Sequence, residues 1–548
     1  MNRRKLFTLG ILDRGAGTAR NRRDTGLPQS PAPHARRSST GLEPFAPTPG
    51  NPWDYGKAAH LLRRCMVGPT DPEIRKTLAD LQTKGIDQVI DALLAPVTPP
   101  MTLIDDWAGK EPQIRPGPGE DAQAFVQEIQ RRGQMLQRWW LRVIATGPVS
   151  IQERMVLLWH NHFTSELQVV NLAEWMFGQN QLFRRSMLGN FKQLVKDVTK
   201  DMAMLVYLDG VKNFKQPRKD NINENYAREL MELFTCGVVD WNNNPNYTEQ
   251  DVREAARALS GWTYTQGAAG NLYAGLTSQF IQLGWDGGSK TIMGRTGTWT
   301  ADDVVDIIFQ ERADQVAKFI CEKLYRAFVY DIPDRVVVTA MAETFRASNW
   351  ELRPVVIQLL KSAHFFDETN IGALDKSPAD FMLGMIRGMG LGSVPDFQAG
   401  NTRFSRDLMG RMNTLGMVLF DPPNVKGWPG GRTWISTSTL PVRQKTALDI
   451  VDGNLKAPNN GPQFYTYDPV AFAKTFPDPN DIHRLSADMA LFFLNTPPSE
   501  KEGRLLFDAL LDSGVDYEWN VDDPDQKPAE RIKKFMKAVF QLPKYQLH

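Results

Sequence analysis

Residues Asn223–Gly237 read NENYARELMELFTCG, and this stretch decides the fold class. Wound at about 100° per residue, it separates into two faces. Tyr226, Leu230, Leu233 and Phe234 form an apolar stripe, while Asn225, Arg228, Glu229 and Glu232 form an equally tight polar one. Asn223 is placed to cap the helix start, and Gly237 stands where a C′ glycine belongs. An ordinary wet face is a loose mix of solvating residues. This polar stripe is instead a set able to bind a metal, fix a carboxylate or build an ionic network between helices.

Outward from this helix, the chain reads as helix after helix from Tyr55 onward. Ser150-Ile151-Gln152-Glu153 and Thr248-Glu249-Gln250-Asp251 read as capping boxes, with Tyr247 and Val252 as a hydrophobic staple on the second. Asp71-Pro72 reads as an Asp N-cap before a Pro at N1. Further 3.6-period segments run to the C-terminal end, with no strand–helix alternation of the kind that builds a parallel sheet. One β-like stretch, 272–298, reads as an inserted hairpin, with Gln279–Leu283 and Lys290–Met293 flanking Asp286-Gly287-Gly288-Ser289. The expectation is an all-α, multi-helix globular body with a small inserted β-hairpin. A disordered basic arm spans 1–52, a main helical domain 53–460, and a C-terminal helical extension 461–548 packs on the main domain.

With 42% hydrophobic and 23% charged residues, the composition is that of a globular protein, and a net charge of +1 argues against a polyanion binder. The first 50 residues hold nine basic and three acidic side chains, a net of +6, leaving a mildly acidic body at −5. The basic arm reads as a solvated linker or as a tether to an acidic surface. Cys65, Cys236 and Cys321 are too few and too dispersed for a disulfide framework or a zinc knuckle and read as buried small hydrophobes. No run of 18 apolar residues is present. Met1-Asn2-Arg3-Arg4-Lys5-Leu6-Phe7 has a twin-arginine look, but the apolar run after it stops at Asp13. Taken alone, the sequence points to the cytoplasm.

Chemistry concentrates in two places. In His160-Asn161-His162, a continuous helix would set the imidazoles about 200° apart, whereas two ligands from one helix need i,i+4 spacing. Three arrangements stand: a structural hydrogen-bonded pair, one catalytic or metal-binding His paired to a carboxylate, or both as ligands. Glu229 and Glu232, one turn apart, suit general acid–base work if partly buried, with Arg228 holding one ionised. The catalytic candidates are Glu229, Glu232, His162 and Arg228. His160, His162 and Glu229 are candidate ligands for a divalent metal such as zinc, manganese or iron. Trp428, Trp434 and Lys426, on the Pro- and Gly-stiffened loop 421–431 and just after it, read as a stacking platform or as a plug on the helices. Asn225 and Asp286 complete the substrate-binding set. The chain lacks a P-loop, a G-x-S-x-G elbow, a strand-borne G-x-G-x-x-G and a C-x-x-C-H haem motif, and no nucleic-acid module is recognisable.

WHNHF at Trp159–Phe163, the NENYARELMELF segment, YTEQDVREAARALSGW at Tyr247–Trp262 and LFDPPNVKGWPGG at Leu419–Gly431 occur in one order. Together, from about Lys57 to Gln444, they resemble the bacterial family called domain of unknown function 1800. The resemblance implies twin-arginine export, a periplasmic or cell-envelope setting, and a partner from a second exported family that resembles sulfatases. It also implies a His-Asp pair in the hairpin, where this chain has Trp285-Asp286. Two functions follow as expectations. One is a metal-assisted hydrolase or lyase acting on an envelope polymer such as polysaccharide. The other is a non-catalytic helical scaffold or binding protein for the sulfatase-like partner.

Overall fold

The computed structural model describes residues 41–215, 222–268, 270–393, 403–454 and 467–548. Twenty-two α-helices lie among the described residues. They run α1 (Tyr55–Cys65), α2 (Asp71–Lys84), α3 (Ile86–Leu93), α4 (Ala122–Thr146), α5 (Gln152–His162), α6 (Leu167–Val170), α7 (Ala173–Arg185), α8 (Phe191–Thr199) and α9 (Met202–Tyr207). After α10 (Asn225–Glu229) and α11 (Glu249–Ala258) come α12 (Ala301–Glu311), α13 (Ala313–Phe328), α14 (Arg335–Ala347), α15 (Leu352–Lys361) and α16 (Pro378–Gly388). The last six are α17 (Arg403–Thr414), α18 (Thr439–Asp452), α19 (Pro469–Ala473), α20 (Ile482–Leu494), α21 (Glu500–Leu511) and α22 (Pro528–Gln541). Thr40–His548 forms one compact unit. None of the described helices is long and apolar enough to cross a membrane.

Local capping explains many of the helix starts. Thr248 and Asp251 form the expected box on α11, and Thr300/Asp303, Ser377/Asp380 and Ser499/Glu502 form others. Two expected caps differ. Thr70, not Asp71, caps α2, in a box with Glu73, which shifts Asp71 and Pro72 one position into the helix. Ser150 accepts from the Gln152 N–H at 3.2 Å, but no box forms, because Glu153 is drawn away by Arg184 and by the Trp140 indole N–H.

The extended segments also differ from the single hairpin expected. Strands β1 (Trp262–Gly267) and β2 (Gly270–Phe280) pair antiparallel, with Trp262 opposite Phe280 and Thr263 opposite Gln279. Strands β3 (Lys290–Ile292) and β4 (Arg295–Gly297) make a second hairpin, turned by Met293 and Gly294, both at positive φ as such a tight turn requires. Asp286–Ser289 is not a hairpin turn, because its carboxylate is held by Arg257 and Lys215.

The core runs through the whole unit, with α5 deep inside: Met155, Trp159 and Phe163 are all essentially inaccessible. The three cysteines are buried free thiols. Residues 41–52, assigned to the arm by composition, pack on the body. Phe45 stacks near Trp53 and Phe366, and its N–H donates to Lys361 O. The rest of the expected arm and the twin-arginine-like start lie outside the described residues. At the other end, His548 exchanges backbone hydrogen bonds with Leu374 across the unit.

Candidate functional site

Helix α5 continues through the His160-Asn161-His162 triplet, so the two imidazoles do face opposite sides. His160 sits in an aromatic cage of Trp140, Phe420, Trp428 and Phe183, with ring centroids 5.4 to 6.4 Å away. Its Nε2 has no hydrogen-bond partner, and burial pulls its pKa down to about 3. His162 points the other way, where its Nε2 donates to Phe234 O at 3.1 Å. That proton assignment leaves Nδ1 a bare acceptor without a partner. Burial, then the nearby Lys323 charge, hold the imidazole neutral against the pull of the carbonyl. The expected carboxylate partner is therefore a backbone carbonyl.

That carbonyl belongs to a feature the periodicity did not reveal. From Leu230 to Thr235 the NENYARELMELF helix is a π-helix, continuing α10 with i→i+5 bonds such as Cys236 N–H to Met231 O. The wider turn carries Met231 fully into the core and leaves Leu233 only half-buried, so the expected apolar stripe is re-registered. The start differs too. Asn223 Oδ1 accepts from Asn225 N–H, one turn-like step before the assigned helix. Burying Leu230, Met231 and Phe234 stabilises this irregular turn by about 1.5–3 kcal/mol per side chain.

The polar stripe is divided by the same geometry. Glu229 is buried, at 7% exposure, whereas Glu232 is half-buried with the Tyr247 hydroxyl 3.5 Å from its Oε2. Arg228 holds neither. It forks onto both carboxylate oxygens of Glu249 at 2.7 Å and reaches Glu224 at 3.2 Å. Asn225 Nδ2 donates to Leu208 O at 3.3 Å.

The loop 419–431 closes on α5. Asn161 Oδ1 accepts the Trp428 N–H at 2.6 Å, Gln137 reaches Leu419 O at 3.0 Å, and Leu167 N–H donates to Phe420 O at 2.8 Å. Phe420 is held at φ +63°, a strained setting for a bulky residue, with its ring against Trp140 and His160.

A family model described as "Protein of unknown function (DUF1800)" matches residues 60–547. The chain belongs to the DUF1800 family. The match takes in the C-terminal helices, well past the Lys57–Gln444 span of the quoted motifs. No curated protein and no solved structure matches the chain.

In this DUF1800 chain the proposed metal set does not assemble. His160 and His162 point into separate aromatic pockets, and among the described residues no group of three or more His, Cys, Asp or Glu could hold a metal ion. The donor atoms of His160, His162 and Glu229 do not fit a shared ion. Of the two readings of the tryptophan loop, burial favours the plug. Trp428 and Trp434 are each only 6% exposed and pack inward as plugs on the helices, Trp428 with its N–H held by Asn161. Lys426 alone of that set is exposed. Asp286 is buried and occupied, with Arg257 at 2.8 Å, Lys215 at 3.0 Å and the Gly288 N–H at 3.0 Å. Burial opposes its charge, but these three donors hold its carboxyl well below the usual range. Trp285, where the resemblance implied a His, lies under Lys290, whose Nζ is 4.9 Å from the ring centroid.

One grouping was missed. The Tyr207 hydroxyl donates to Glu166 Oε1 at 2.7 Å, and burial together with the charges of Glu166, Glu229 and Asp421 raises the phenol's pKa. Burial pushes the Asp421 carboxyl up, with the Glu166 charge adding to the effect. Glu229 is the only predicted site residue in this grouping. The other three come from α9, the segment before α6 and the start of the DPPN turn, and no local spacing joins them. Lys323 was missed as well. Burial lowers its amine to about 8, and its Nζ lies 4.9 Å from the Phe319 ring centroid.

Proposed function

We propose that this protein is a non-catalytic helical scaffold, and that its partner is the sulfatase-like exported protein implied by the family resemblance. One observation carries the reading: the residues of the family motifs are spent on internal contacts. Asn161 clasps Trp428, His162 holds Phe234, Arg228 locks to Glu249, and Trp428 covers His160. Motifs used this way preserve a shape, and a preserved shape serves recognition. The test is a direct binding titration between the purified chain and a purified sulfatase-like exported protein from the same source. A saturable complex that survives Glu232→Gln supports the scaffold. Absence of binding at high micromolar concentrations of both proteins sinks it.

A second reading, an acid–base hydrolase or lyase acting on an envelope polysaccharide, is favoured by the Tyr207–Glu166–Asp421 grouping. A carboxyl raised by burial, near a second carboxyl that accepts a phenol hydrogen bond, is a pairing suited to proton transfer. Turnover of any envelope polysaccharide that is lost in Asp421→Asn, with the fold intact, would favour this reading over the scaffold.

A further inference from the structure

A second region of the molecule, outside the quoted motifs, carries an imbalance of buried charge. Arg63, Arg64, Lys376 and Arg443 are all at most 9% exposed. Among the described residues each is satisfied only by neutral groups. Arg63 donates to Asn495 Oδ1 and Phe492 O. Arg64 has a single bond, to Asn370 O at 2.9 Å, and its Nε and Nη1 have no partner. Lys376 Nζ donates to Tyr545 O at 2.7 Å and lies 3.7 Å from that ring's centroid. Arg443 donates to Lys376 O at 2.8 Å and Gln546 Oε1 at 3.2 Å, while its Nε is unpartnered.

The one buried carboxylate beside them, Asp380, is already taken by Arg154 at 2.6 Å. Asp331 acts on the Arg64 charge and Asp375 on that of Arg443, but neither carboxylate forms an ion pair with them, so the four buried cations outnumber the carboxylates around them. Buried cations without counter-charge are costly, and proteins rarely retain several together unless an anion joins them. The same place holds a cavity of about 40 Å³, lined by Arg63, Lys376, Asp380, Tyr545 and His548 and floored by Gly68 and Gly384. That is room for more than one water-sized group. Arg64 and Arg443 stand behind this wall, near enough that Asp380 acts on both charges.

We propose that this cavity binds a small oxyanion, held by Lys376 and Arg63 with Arg64 and Arg443 supplying the surrounding positive field. Arg and Lys together are the usual donors to such groups, and a desolvated pocket strengthens each contact. The site is separate from the motif-lined region above and does not depend on its function. Without an anion the Lys376 amine is pushed well below the usual lysine range by burial and by Arg63 and Arg443, and a bound oxyanion acts in the opposite direction.

The full chain should be titrated with inorganic phosphate by calorimetry at constant ionic strength, with sulfate as competitor. The expected result is saturable binding of one ion per chain, weakened by at least about tenfold in Lys376→Met and unchanged in the exposed control Lys445→Met. In parallel, the denaturation midpoint of the wild type should rise and then follow the logarithm of phosphate concentration. A linear, unsaturable rise equal for both ions is general salt stabilisation and overturns the proposal. So does the absence of saturable heat in the wild type, or equal affinity in Lys376→Met. If that variant does not fold, the wild-type titration decides alone.

Discussion

Asn161 accepts the main-chain N–H of Trp428 at 2.6 Å, joining the WHNHF segment to the KGW turn across 267 residues. Gly427, just before the tryptophan, sits at φ +82°, and a Cβ added there would run into the side-chain and main-chain oxygens of Asn161. Two motifs that read as separate chemical candidates are thus the two halves of one clasp. Gly427→Ala should therefore be more damaging than Asn161→Ala. The alanine adds both a clash with Asn161 and a disfavoured left-handed backbone. Asn161→Ala leaves one partly buried N–H unsatisfied, at a cost of about 1–3 kcal/mol. Urea denaturation of the three proteins checks the order, and equal midpoints for wild type and Gly427→Ala would refute the clasp.

Arg228 was expected to anchor the carboxylates of its own helix, and it pairs with Glu249 instead. Both partners are substantially exposed, at 32% and 66%. Even a bidentate pair so placed contributes only about 0–1 kcal/mol and weakens with salt. Arg228→Met should therefore shift the urea midpoint only slightly, and less still in high salt. A loss of several kcal/mol would mean that the arginine holds a buried carboxylate after all.

The legible parts of this fold are those set by neighbours in sequence. The Thr248–Asp251 box needs only four residues, and the opposite faces of His160 and His162 follow from the helix repeat alone. What was not legible depends on distant partners. The π-helix at Leu230–Thr235 is stabilised by packing and by His162 reaching Phe234, neither of which alters local periodicity. Trp428 could have lined a cleft or plugged a core, since an indole suits both, and only the distant Asn161 anchorage decides. Tyr207, Glu166 and Asp421 meet from three separate elements, so no spacing rule could have joined them.

Glu153 shows the same competition between local and distant partners. It stands at the third position of an expected capping box, yet it is held by Arg184 and the Trp140 indole, with Arg184 only 5% exposed. Glu153→Gln leaves that guanidinium buried without its counter-charge, which costs about 3–5 kcal/mol. A simple loss of a cap costs about 1 kcal/mol. Thermal and urea unfolding of Glu153→Gln separates the two, and a change near the smaller figure would restore the capping role.

His160 yields a prediction in pH. Its folded pKa is pulled by burial to about 3, while the unfolded chain titrates near 6.5. Above that value the imidazole is neutral in both states, and its titration makes no difference to stability. As pH falls below 6.5 the unfolded chain takes up a proton that the folded chain refuses, so stability is lost progressively down to about pH 3. The slope approaches about 1.4 kcal/mol per pH unit for this one group. His162 is lowered in the same direction and contributes its own share. His160→Phe keeps an aromatic ring in the cage formed by Trp140, Phe420 and Trp428 and removes an imidazole nitrogen that has no partner. The variant should match the wild type near pH 7.5 and exceed it near pH 5, in urea midpoints measured across that interval. If its stability falls with pH as steeply as that of the wild type, the imidazole is not buried neutral. If the variant is strongly destabilised at pH 7.5, the ring makes a polar contact that its aromatic surroundings do not reveal.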